Sequence, residues 1–183
     1  MSSPVVSEAL VRRERARWKT RLIAVAIVVT LLAAFHFLDH VARGQRVRSL
    51  GLDPNWDHSG WPFTPAFTPF SVSLVLVAAI LLVGIGLTAL DRAWAGYWLL
   101  AALILAAVVT QVHLVPGEHQ ESPAVIYRSW VGQPIVGGLA VLNTFLIILA
   151  LVVMAADAVQ VGRRSHRWWR PPGAASSDRA GSR

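Results

Sequence analysis

The sequence predicts an all-α fold, a four-transmembrane-helix bundle with two outward-facing loops and both termini inside. Composition is the first observation behind this. Of 183 residues, 55% are hydrophobic and 15% charged, whereas about a quarter of a soluble domain is charged. The second is clustering. The apolar residues gather in four blocks, 22–38, 72–90, 94–114 and 135–161, each near or above the ~20 residues that a helix needs to cross a hydrocarbon core. The third is charge. Of the 17 basic residues, 13 precede the first block, sit in the turn between the second and third, or follow the fourth. By the positive-inside rule that places both ends in the cytoplasm and the two longer loops outside. Arg43, Arg46 and Arg48 are a local exception.

Residues 1–20 form a basic segment, with Trp18 expected at headgroup level. The apolar run after it is long for a signal peptide, and residues 36–40 offer no small-residue cleavage site. Helix one is therefore expected to remain, over about 21–40 of a membrane domain spanning 21–161. An outer loop covers 41–68. Its Trp56, Trp61, Pro62, Phe63, Phe67 and Phe70 are too apolar for a solvated linker and predict a lid over the helix ends. Thr68-Pro69 pairs an N-cap residue with a proline at the first helical position, so helix two is expected over 69–90.

Gly84 and Gly86 in helix two offer a close approach to a neighbour. Helix three, 93–114, opens with Trp94, Tyr97 and Trp98, read as an inner aromatic belt, and carries Ala102 and Ala106 at small-residue spacing. A second outer loop, 115–133, leads to helix four at 134–161. There Asn143 and Thr144 read as helix–helix contacts, and Asp157 is expected to reach towards Arg163 or Arg164. Gly162 is the expected stop. The rest, 162–183, is a basic tail whose end is rich in Ser, Gly and Ala, a composition expected of disorder.

The candidate chemistry gathers at the outer side. His36, Asp39, His40 and Arg43 recur at helical spacing and share one face. His113, at the end of helix three, is expected at the same level. His36 and His40 could ligate one ion, completed by Asp39 or a loop carboxylate. His36 and His113 could instead be axial ligands of a haem in the outer half of the bundle. The same residues also suit a plain structural role, tying loops to helices through pairs such as Asp39 with Arg43 or Arg128.

No catalytic residue is assigned. The chain shows no nucleophile elbow, phosphate-binding glycine loop, or nicotinamide or flavin signature, and its lack of cysteine excludes thiolate and iron–sulfur sites. The basic balance has a topological origin, so nucleic acid is not an expected partner.

FHFLDHVARG followed by GWPF and TPF resembles a group of small bacterial four-helix membrane proteins with an H-x-x-D-H at the end of helix one. The resemblance covers Phe35–Phe70. It implies topology and a grouping of His36, Asp39 and His40 with Trp61, Pro62 and Phe63, and it implies no activity; the expected location, from the four apolar blocks, is the cell membrane. The function expected from the sequence is non-enzymatic: binding of a membrane partner, a further copy of the chain or lipid through the aromatic loop and helix faces. The alternative is a metal- or haem-binding subunit built on the outer histidines.

Overall fold

The structure is a computed structural model that describes residues 4–51, 69–93, 95–115 and 121–165. The described residues form five helices and no strand: α1 Pro4–Ser49, α2 Pro69–Ala89, α3 Ala95–His113, α4 Pro123–Ser129 and α5 Pro134–Ser165. Four of them, α1, α2, α3 and α5, are long and apolar enough to cross a membrane. Residues Trp56, Trp61, Pro62, Phe63 and Phe67 of the expected lid, with His58, His119 and the tail from 166, lie outside the described residues. Phe70 falls in the first turn of α2.

The expected basic segment and first span are one continuous helix. At 46 residues, α1 is about 69 Å long, more than twice the thickness of a hydrocarbon core. Helices α2 and α5 begin at Pro69 and Pro134, as their N-terminal signals predict. The second outer loop contains the one-turn-and-more helix α4. Ser122 caps it by accepting a hydrogen bond from the Val125 backbone N–H at 3.3 Å, and Pro123 takes its first turn.

Side-chain contacts fix how the helices run. Lys19 Nζ donates to the Ala89 carbonyl at 2.7 Å and pairs with Asp91 at 3.2 Å, bringing the α2–α3 turn beside the N-terminal half of α1. Arg21 Nε lies 2.8 Å from Asp157 Oδ2, and Arg164 Nη1 lies 2.7 Å from Glu14 Oε1, which puts the end of α5 there as well. The opposite end gathers the C-terminal half of α1, the end of α3, α4 and the start of α5. Helix α5 packs against both α1 and α3, and α2 lies chiefly against α1.

The core is built from Leu22, Ala26 and Val29 of α1, Leu81 of α2, Trp98, Ala101, Ala102 and Leu105 of α3, and Ile147, Leu151, Met154 and Ala158 of α5. Two sequence expectations change here. Trp98 is not part of a boundary belt. It is fully buried, and its indole Nε1–H donates to Thr88 Oγ1 at 2.8 Å, so the ring gains apolar contact without stranding its N–H. Gly84 makes the space, because a Cβ there would lie 2.7 Å from the Trp98 ring and 2.6 Å from Tyr97. Gly86, by contrast, faces nothing within 4 Å. Asp157 does not reach down its own helix. It is buried and meets Arg21 of α1. Asn143 acts between helices, its Nδ2 donating to the Leu32 carbonyl at 3.1 Å.

Candidate metal centre

The stripe on α1 turns inward. Lipid contact would leave the stripe's two histidines and two charged groups without polar partners, which is costly, and the bundle offers partners instead. His36, His40 and Arg43 are all buried, whereas Phe35 and Leu38 on the other side of the helix are exposed. His113 is delivered by the last turn of α3 and is also buried. One ring nitrogen from each of the three histidines lies within 4.8 Å of the others.

His36 Nε2 stands at the middle, 2.9 Å from His40 Nε2 and 3.1 Å from His113 Nε2. A carboxylate completes the group. Glu121 Oε2 lies 3.0 Å from His40 Nε2 and 3.1 Å from Arg43 Nη2. Glu121 is seated by its own backbone: its N–H donates to the Val112 carbonyl at 3.1 Å, and its carbonyl accepts from His113 Nδ1 at 2.8 Å. It is buried, just ahead of the cap of α4.

These contacts constrain the protons. A carbonyl can only accept, so His113 Nδ1 carries hydrogen and a neutral His113 presents a lone pair at Nε2. Each imidazole nitrogen has one in-plane lobe, holding either a proton or a lone pair. If His36 Nε2 holds a proton it serves His113. His40 must then oppose that proton with its own, or turn a lone pair towards the Glu121 carboxylate. If His36 Nε2 holds a lone pair, it faces the lone pair of His113. With all three imidazoles neutral and Glu121 as the anion opposite Arg43, each of these assignments leaves one repulsive contact. A cation held jointly by the three Nε2 atoms removes all of them.

The dimensions fit such an ion. Tetrahedral zinc with Zn–N bonds of about 2.0–2.1 Å separates its ligand atoms by about 3.3 Å. The three neighbouring contacts at 2.9, 3.1 and 3.0 Å lie near that spacing, while the three histidine nitrogens lie within 4.8 Å of one another, so His40 and His113 would draw together around the ion. The haem alternative has less room. Axial nitrogens must stand on opposite faces of a macrocycle, about 4 Å apart at similar bond lengths, whereas His36 and His113 are 3.1 Å apart with His40 against the same atom.

Asp39, the carboxylate expected beside His36 and His40, is engaged elsewhere. Its Oδ2 accepts from Arg43 Nε at 2.7 Å and its Oδ1 from Trp130 Nε1 at 3.0 Å. Arg43 thus spans two carboxylates, while Arg128 is exposed. Arg46 donates to the Val131 carbonyl and lies over the Trp130 ring, 6.0 Å from its centroid. Gly132, at φ +76°, supplies the left-handed residue of the turn closed by Gln133 N–H to Trp130 O at 2.8 Å. Arg43 and Arg46 are thereby accounted for as residues that fasten the second loop to α1. Glu121 is the residue that sequence reasoning left among several loop carboxylates. Its signal is the Ser122-Pro123 helix start immediately after it.

No family model, curated protein or solved structure matches the chain.

Proposed function

We propose that this four-span protein holds one divalent transition-metal ion of the zinc or copper class at the outer end of its bundle. His36, His40 and His113 would supply nitrogen and Glu121 oxygen, with both chain ends on the cytoplasmic side of the cell membrane. The observation that carries this reading is the meeting of three buried Nε2 atoms from two helices beside a buried carboxylate. Imidazole and carboxylate donors suit these metals. Counting Arg43 as +1 and Asp39 and Glu121 as −1 each, the group without an ion carries a formal charge of −1, which favours a cation.

Four protein ligands leave no position for substrate, the mark of a structural or holding site rather than a hydrolytic one. The role is therefore binding, not turnover. Arg43 steadies Glu121, and the Glu121 carbonyl orients His113, as outer partners commonly do for metal ligands. A role in recruiting a membrane partner through the aromatic loop rests on residues outside the described ones, so the histidine site is the reading that the geometry supports best.

Calorimetric titration of Zn²⁺ into the metal-stripped, full-length protein in detergent tests it. One site per chain is expected, abolished in His36→Ala and His113→Ala. A Soret band in the purified protein would replace the ion with haem.

A further inference from the structure

A different feature lies at the end of the bundle away from the histidines. Arg13, Arg17 and Arg21 recur every four residues along one face of α1. With Glu14, Trp18 and Arg164 of α5 they line an open groove of about 490 Å³. Its walls are fixed by the pairs Arg164–Glu14 at 2.7 Å and Arg21–Asp157 at 2.8 Å. Its floor is the Trp18 ring, with the guanidinium carbons of Arg21 and Arg164 at 5.6 and 5.2 Å from the ring centroid. Four guanidinium groups against Glu14 and Asp157 leave a formal charge of +2. Arg13 and Arg17 have no carboxylate partner among the described residues.

We propose that this groove binds the phosphate headgroup of an anionic phospholipid. Guanidinium forks match phosphate oxygens in geometry and charge, and basic pockets between membrane helices are suited to such headgroups. The position favours a lipid over a free anion. The apolar block begins at Leu22, immediately after Arg21, so the groove sits at headgroup level, where Trp18 is also at home. Ala24 and Val28, three and seven residues beyond Arg21 and on the same face, are exposed and would carry the acyl chains.

Native mass spectrometry of the full chain in mild detergent, with phosphatidylglycerol or phosphatidylcholine added, tests the proposal. The wild type should retain one phosphatidylglycerol and no phosphatidylcholine. The double variant Arg13→Gln/Arg17→Gln should retain about tenfold less, since each arginine near an anionic headgroup contributes several-fold. Arg92→Gln, exposed in the α2–α3 turn at the same end, should bind as the wild type does. Equal retention by the double variant, or equal retention of phosphatidylcholine, would overturn the site. An equal loss in Arg92→Gln would reduce it to diffuse surface charge. Displacement of the lipid by millimolar inorganic phosphate would assign the groove to a free anion instead. If the double variant does not fold, the comparison of the two lipids on the wild type decides.

Discussion

His113 owes its orientation to the nitrogen that does not face the cluster, because the Glu121 carbonyl holds Nδ1 and aims Nε2 at His36. That arrangement separates two kinds of substitution. His36→Ala, His40→Ala and His113→Ala each remove a proposed ligand and should abolish stoichiometric Zn²⁺ binding. Glu121→Gln keeps the backbone contacts and the shape but removes the proposed oxygen ligand, and should weaken binding by more than the ~10- to 100-fold seen when a supporting group of a metal site is altered. Equal affinity in Glu121→Gln would remove the residue from the site. Asp39 has a different task. Asp39→Asn takes away the charge nearest the buried Arg43 guanidinium, and should destabilise the protein by about 3 kcal/mol, the lower end of the cost of breaking a buried pair, because Glu121 still faces Arg43. Resistance to denaturation by SDS would measure it. Metal binding in that variant should persist whenever the protein is folded. Acid should release the metal, since imidazole must be neutral to ligate. Loss is expected progressively as the pH falls, because protons compete with the metal for the ring nitrogens, and retention of bound Zn²⁺ at pH 4 would contradict nitrogen ligation.

At the scale of elements, the four spans were legible because lipid imposes a length and a composition on each helix. Their proline starts were legible because Pro69 and Pro134 follow residues that suit a cap or a turn. The same logic applied to Ser122-Pro123 announces α4, a helix too short to show any periodicity. What the sequence could not display was pairing across helices. Trp98 near a helix start looks like a boundary aromatic. It is interior because Thr88 accepts its N–H and Gly84 leaves it room, and both lie on another helix. Asp157 is a similar case, since its partner Arg21 is 136 residues away. The Gly84 contact yields a prediction. Gly84→Ala forces its Cβ against the rings of Tyr97 and Trp98 and should cost about 1–3 kcal/mol, as overpacking does, whereas Gly86→Ala should be nearly silent. Thermal unfolding in detergent distinguishes the two. Asn143→Leu, which loses one bond to a helix carbonyl, should cost only about 0.6 kcal/mol, because such bonds average little within membranes.

Over the whole molecule, the bundle has two polar ends of unlike chemistry. One end is arginine-rich, with its buried carboxylate Asp157 paired to α1. The other gathers three histidines, and its carboxylates Asp39 and Glu121 share Arg43. The i, i+3, i+4, i+7 stripe on α1 made His36, Asp39, His40 and Arg43 readable as one group, but long-range packing alone brings Glu121 to them, 78 residues from Arg43. Tags on the two termini should both report from the cytoplasmic side if the arginine distribution sets orientation. Both tags on the extracytoplasmic side would invert the placement of the histidines, and tags on opposite sides would contradict four spans. The histidine end is proposed to hold a metal ion. The most direct measurement is the metal content, by elemental analysis, of the full-length protein loaded with Zn²⁺ and desalted, beside His113→Ala treated identically. About one zinc per chain is expected in the first and almost none in the second. A zinc-free wild type, or a variant that retains as much as the wild type, would contradict it.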